Sequence, residues 1–230
     1  MNVNTSLHNI KKPQKKKEVN YITKSLLFNG TNQDARSSSA NYAYTVGTIE
    51  AWIKTTGYIG GNNPMGIFVS TGSYGLFIYN GVLGTYSWVQ GVWTTTTINL
   101  HDNNWHHVAF SFNHNVSNGS SLYVDGVLQK SFTYSVGTSG DLLIGSGFTS
   151  GQYFNGYISY IRVWNTILSS SFIASNYNKH IASNTNLKGL YLMNEGSGTT
   201  INNSASGGLY PFTFRNTPTW SSTVYPTILN

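Results

Sequence analysis

No cysteine occurs in the 230 residues, so neither a disulfide framework nor a thiolate metal site can form. Charge is scarce as well: Asp, Glu, Lys and Arg together make up 9% of the chain, against roughly 25% in an average soluble protein. Only seven residues are acidic, namely Glu18, Asp34, Glu50, Asp102, Asp125, Asp141 and Glu195, and no two lie closer than sixteen positions. Glycosidase chemistry needs two carboxylates flanking the scissile bond, and this spacing excludes a pair on one strand, although not one assembled across strands. No G-x-S-x-G elbow and no phosphate loop is present; "EGSGTT" lacks the Gly-Lys-Ser/Thr ending that such a loop requires. Nowhere do about 18 apolar residues run together, so no membrane-spanning helix is expected. The opening "MNVNTSLHNIKKPQKKKEVN" has no apolar stretch of the kind found in a secretory signal.

What fills the gap is Asn, Ser, Thr, Gly and Tyr, with 39% hydrophobic and 14% aromatic residues, enough for a substantial core. The formal charge of +6 is unevenly spread. Six lysines against Glu18 give the first 24 residues +5, and seven basic and six acidic residues leave the rest at +1. The basic character therefore belongs to an N-terminal arm, residues 1–24, with Lys11, Lys12, Lys15, Lys16 and Lys17 as its anchoring residues. A nearly neutral remainder argues against a nucleic-acid-binding face on the folded part.

From Ser25 to Asn230 the chain reads as one domain of short strands separated by turn residues, the pattern of a sandwich or barrel. "SLLFNG" ends in Asn-Gly, and "GTIEAWIKT" alternates Ile49, Ala51 and Ile53 with Glu50, Trp52 and Lys54. "GLFIYNGVLGTYSWVQG" predicts a hairpin with a type I′ turn at Asn80-Gly81, and "SLYVDGVLQKSF" a second one at Asp125-Gly126. "DLLIGSG", "GYISYIRVWN", "LKGLYLMNEGSG" and "LYPFTFRN" supply further strands. One segment differs: Leu168, Phe172, Ile173 and Tyr177 recur near helical spacing behind Ser169, which predicts a single short helix with a serine N-cap.

"NNWHHVAFSF" places His106 and His107 side by side. Successive side chains of a strand point to opposite faces, so the two rings diverge and do not readily chelate one ion. Trp105, His107 and Ala109 share one face, while His106 shares the other with Val108, Phe110 and Phe112. The pair is read as architecture, with Asp102 and Asp125 in turns.

"WHHVAFSFN…SLYVDGVL" resembles the core signature of the LamG-like, concanavalin A-like lectin/glucanase superfamily. "SLLFNGTNQ" before "GTIEAWIKT", and "LLIGSG…FNGYISYIRVWNTILS", are similar to that family's opening and closing strands. "GLYLMNEGSGTTINNSASG" looks like a phrase that often begins such modules, here placed after the sandwich. The resemblance covers about residues 25 to 220 and implies an all-β, concanavalin A-like jelly-roll sandwich of two antiparallel sheets. Ligand sites are implied on a concave face or loop rim, and the histidine-pair strand and Glu50, which sits in a family strand, are implied to be structural. Two positions depart from the family pattern. Phe172 stands where an acid is usual, and Asn202 and Asn203 stand where an aspartate is usual.

Calcium is the cofactor to expect, if any. It needs six to eight oxygen ligands, and Asp34, Asp141 and Glu195 are the candidate carboxylates, with loop carbonyls near Asn29 and Gly30. Carbohydrate recognition uses flat aromatic faces with amides and hydroxyls. The candidates are Tyr86 and Trp88 on one face of the 82–89 strand, Trp93 on the next, Tyr79 before the turn, and Tyr58 on a glycine-rich rim loop. The expectation is a non-enzymatic glycan-binding or cell-surface-binding module. It would be displayed on a virus or phage particle as a capsid decoration or head fibre, held to capsid or sister chains by the arm, and homo-oligomeric. The alternative location is extracellular or at a cell surface. The competing readings are a purely structural virion decoration and a glycoside-processing enzyme or its carbohydrate-binding module.

Overall fold

A computed structural model describes residues 23–38, 42–61 and 63–225. These form two antiparallel eight-stranded sheets packed face to face, as the alternating patterns predict. The first sheet runs in the order β10 (Val127–Phe132), β9 (Ser120–Val124), β8 (Trp105–Asn113), β3 (Val46–Lys54), β12 (Asn155–Trp164), β1 (Ser25–Asn29) and β16 (Thr219–Ser221). β13 (Leu187–Tyr191) pairs with the second half of β12, and β1 with its first half. The second sheet runs β14 (Thr200–Ile201), β15 (Phe212–Arg215), β2 (Asp34–Ser37), β11 (Leu142–Ile144), β4 (Met65–Ser70), β5 (Tyr74–Tyr79), β6 (Val82–Ser87) and β7 (Val92–Asn99).

Alternation decides which residues meet in the middle. Ile49, Ala51 and Ile53 of β3, Val108, Phe110 and Phe112 of β8, and Leu76 and Ile78 of β5 join one buried cluster between the sheets. Both predicted hairpin turns form. Asn80 and Gly81 have φ of 52° and 83°, and Asp125 and Gly126 have 49° and 77°, the two positive values that a type I′ turn requires.

The predicted helix is α1 (Ser170–Asn176), one turn shorter in regular structure than its apolar pattern. The Ser169 hydroxyl caps it by accepting from the Phe172 N–H at 3.2 Å. Phe172 packs edge-on against Trp164 at 5.9 Å, so the residue that departs from the family's acid serves as apolar cover. Asn203 is likewise explained. Its Oδ1 accepts from the Leu190 and Ala205 N–H groups, while its Nδ2 donates to the Lys188 and Leu209 carbonyls. An aspartate has no donor for those two carbonyls.

At the N-terminal boundary, the Thr23 N–H donates to Asn194 Oδ1 and the Lys24 carbonyl accepts from Ser159. Lys11, Lys12, Lys15, Lys16 and Lys17 of the expected arm lie outside the described residues.

Candidate functional site

The two sheets differ in what they do with their outer faces. On the second sheet, side chains pointing away from the core form a small apolar floor of Val69, Phe77 and Leu143. Over it stand Tyr86, Trp88 and Trp93, all half-buried. Tyr79 of β5 stacks on Trp93 of β7 at 4.5 Å between ring centres and 14° between planes. β6 runs between them and presents Gly84, where an added Cβ would lie 3.2 Å from Thr95 and 3.6 Å from Tyr79. The absent side chain lets the two rings meet across the strand. Tyr86 lies 5.1 Å from Trp93 and 5.5 Å from Trp88.

Four of the five aromatic candidates thus come together, and Trp88 shares the face of Tyr86 although β6 ends one residue before it. The fifth does not join them. Tyr58 packs edge-on against His101 at 4.7 Å, and its hydroxyl accepts the Gly81 N–H at 2.7 Å. Its place is to hold the β5–β6 turn, and burial raises its pKa. Sequence reasoning missed Phe148, from the loop after β11. It is exposed, stacks on Tyr86 at 5.9 Å and 20°, and lies 5.0 Å from Trp88. The available signal was a lone aromatic in the polar loop "GSGFTSG".

Beside Phe148 a cleft of about 240 Å³ continues across the same face, lined among others by Arg36, Asp141, Tyr153 and Arg215. Asp34 lies beneath the arginines, fully buried. Its Oδ2 accepts from Nε and Nη2 of Arg36 at 3.3 and 3.2 Å and from the Ser146 hydroxyl at 3.1 Å, and its Oδ1 is 3.8 Å from Arg215 Nε.

The three acids considered for calcium do not converge. Asp34 starts β2, whereas Asp141 adjoins the far end of the paired strand β11, four strand positions or about 13 Å away. Glu195 sits between β13 and β14, where its Oε1 accepts from the Asn202 N–H at 2.7 Å and the Asn202 amide at 3.3 Å. Among the described residues no three His, Asp or Glu side chains form a group suited to a metal ion. A single calcium ion held by Asp34, Asp141 and Glu195 does not fit this arrangement.

The outer face of the first sheet is closed. α1 and the segments around Ile181 and Val224 pack over Trp52, Ala109, Tyr123, Tyr160 and Trp164. Beneath them Glu50 is buried and accepts from Arg162 Nη2 at 2.9 Å and Trp164 Nε1 at 2.7 Å, with His107 Nε2 at 3.2 Å. Burial would raise the Glu50 pKa, but the Arg162 charge and these hydrogen bonds outweigh it and hold the carboxyl below its ordinary range. Burial likewise lowers the pKa of His107, against the pull of Glu50.

His106 turns the other way, as the strand argument requires. Its Nδ1 is 2.7 Å from Asp125 and its Nε2 is 3.2 Å from both oxygens of Asp102. The bond to Asp125 raises its pKa despite partial burial. Asp102 and Asp125 therefore flank an imidazole, not an open space for a sugar, and the pair does not form the cross-strand carboxylate site of a glycosidase.

The sequence pattern of the Concanavalin A-like lectin/glucanases superfamily, in its laminin-G form, matches residues 29–174. Among solved structures, the chain resembles a Bacteroides ovatus ATCC 8483 protein provisionally described as carbohydrate-binding. The TM-score is 0.70 at 20% identity, over 91% of this chain but only 62% of that one. It also resembles domain 4 of an extracellular GH43 arabinanase from Geobacillus stearothermophilus, solved with arabinotriose, with a TM-score of 0.51 at 16% identity over 66% and 75% of the two chains. A heptameric SAP-like pentraxin from Limulus polyphemus matches with a TM-score of 0.50 at 17% identity over 68% and 82%. No curated protein sequence matches. With the strand order, the histidine-pair strand and the family pattern in agreement, the chain belongs to the concanavalin A-like lectin/glucanase superfamily.

Proposed function

We propose that this protein is a non-enzymatic carbohydrate-binding module and that its ligand lies on the outer face of the second sheet. The observation that carries this reading is the half-exposed cluster of Tyr79, Tyr86, Trp88, Trp93 and Phe148 on that face. Aromatic rings left half-exposed on a rigid sheet give sugar C–H faces a flat apolar surface at little entropic cost. The surrounding Ser, Thr, Asn and Tyr groups supply neutral hydrogen bonds. The fold-level likeness to a protein described as carbohydrate-binding and to an arabinanase domain solved with arabinotriose supports the same reading.

Support for binding without catalysis comes from the acids. Glu50 and Asp34 are buried against arginines, and Asp102 and Asp125 are spent on His106. The lysine-rich arm, in this proposal, anchors the sandwich to a particle surface or to sister chains, with virion display the form considered from the sequence. The support for that part is the charge asymmetry alone.

A glycan array probed with the full chain, with calcium and with chelator, tests the proposal. Specific binding is expected, weakened at least tenfold by Trp93→Ala and unchanged by Tyr58→Phe. A blank array in both conditions would leave a structural decoration as the better reading. Loss of signal in chelator would require a calcium ion outside the three acids considered above. Deleting residues 1–22 is expected to leave glycan binding intact and abolish attachment to any particle that the arm serves.

A further inference from the structure

The proposed binding face has a charged end. Of the three arginines in the chain, Arg162 is buried against Glu50. The other two, Arg36 and Arg215, stand diagonally on the adjacent strands β2 and β15 and line the same cleft. Asp34 holds both from beneath, with its carboxylate fully buried, while the arginine side chains are 33% and 47% exposed. Asp34 and Asp141 formally balance the two guanidiniums, but Asp34 is sealed from solvent, so what faces the cleft is two sets of forked N–H donors against one carboxylate. In a folded part carrying a net charge of only +1, that concentration on the face of the aromatic platform is a specific feature.

The cleft and platform are continuous, because Phe148 lines the first and stacks on Tyr86 of the second. From β2 to β6 is four strand spacings, about 19 Å, so a ligand touching both ends must be an oligosaccharide. Asp141 lines the cleft as well and repels a second anionic group there. That favours one well-placed carboxylate over a densely sulfated chain, and the planar fork of arginine matches a carboxylate in bidentate fashion.

We infer that the glycan bound on this face is acidic, with the carboxylate of a uronic-acid residue held by Arg36 and Arg215 while neighbouring sugars lie on the aromatic platform. This inference rests on the carbohydrate-binding reading of the face.

Affinity electrophoresis and calorimetry of the full chain against polygalacturonate, alginate and hyaluronan, each paired with its carboxyl-reduced neutral form, test it. At least one acidic polymer is expected to bind tenfold or more tightly than its reduced form, in line with hydrogen bonds to a charged group. Arg215→Gln, a change at a half-exposed residue, should erase that preference by lowering the acidic polymer's affinity to about that of its reduced form. Salt should weaken the acidic polymer selectively. Equal affinity for acidic and reduced forms, with Trp93→Ala abolishing both, would overturn the uronate assignment and leave the platform standing. Dextran sulfate binding more tightly than every uronate polymer would overturn it as well. Retention of none of the acidic or neutral polymers would overturn both readings.

Discussion

The outer faces of the two sheets solve opposite problems with the same alternation of side chains. On the first sheet, the outward residues of β3, β8 and β12 include Glu50, Trp52, His107, Arg162 and Trp164, and a helix and two irregular segments cover them. On the second, the outward residues of β5, β6 and β7 include Phe77, Tyr79, Tyr86 and Trp93, with the Phe148 loop beside them. The lesson is that a buried ion pair in a sandwich does not mark where a ligand binds. The Glu50–Arg162 pair is sealed and structural, while the open face carries the aromatic rings and the exposed Arg36 and Arg215.

The sharpest way to break that contrast is to remove the buried acid. Glu50→Ala leaves the Arg162 guanidinium and the Trp164 N–H without their partner in a site closed to water. Removing one member of a buried ion pair costs about 3–5 kcal/mol. The variant is expected to unfold at much lower denaturant, or to fail to accumulate. A loss of less than 1 kcal/mol, read by urea titration, would mean that the covered face is not the stabilising one.

A smaller change tests the open face. Trp93→Ala removes the stack with Tyr79 and the edge-on contact with Phe77, and such aromatic pairs contribute about 0.5–1.5 kcal/mol beyond area burial. Stability is expected to fall by about 1–2 kcal/mol, with the fold retained, while glycan affinity falls at least tenfold. Ser169→Ala sits on the other side of the comparison. It deletes the cap of α1 and should cost about 1 kcal/mol without touching glycan binding.

Much of this contrast could be read from the sequence, because it follows from local rules. Period-two alternation put Ile49, Ala51 and Ile53 on one face, which is the core face, and separated His106 from His107, and the Asn-Gly and Asp-Gly pairs located the turns. Ser169 announced the helix. What could not be read was tertiary. Phe148 reaches Tyr86 across more than sixty residues. Arg36 and Arg215 meet only because β15 returns to pair with β2. Nor does alternation say which face a later segment will cover: the family resemblance marked Glu50 as structural, but its partners Arg162 and Trp164 were not legible. Asp34 looked available as a metal ligand because its arginine neighbour two residues on, and the second one on β15, only engage it once the strand is formed.

The smallest effect expected distinguishes the two adjacent histidines by the sign of their pH dependence. His106 has its pKa raised from the ordinary 6.5 by Asp125 and Asp102. Its contribution to stability is therefore fully present below pH 6.5 and is lost as pH rises through the raised value. His107, buried and lowered, contributes in the opposite sense: stability is present above 6.5 and is lost as pH falls through its depressed value. Glu50, also lowered, adds to that acid flank below 4.5. The partial exposure of His106 and its two carboxylates keeps its share below about 1 kcal/mol. Urea midpoints of the wild type and of His106→Gln, measured from about pH 5 to 9, should converge as pH rises, since the wild type loses a stabilisation that the variant never had. A constant gap between the two curves would show that the His106 bonds act without its charge. Neither the aromatic cluster nor the arginine cleft includes a histidine, so glycan affinity is expected to stay flat over the same range. If affinity followed the stability curve instead, the two faces would be coupled, and the covered face would be setting the competence of the open one.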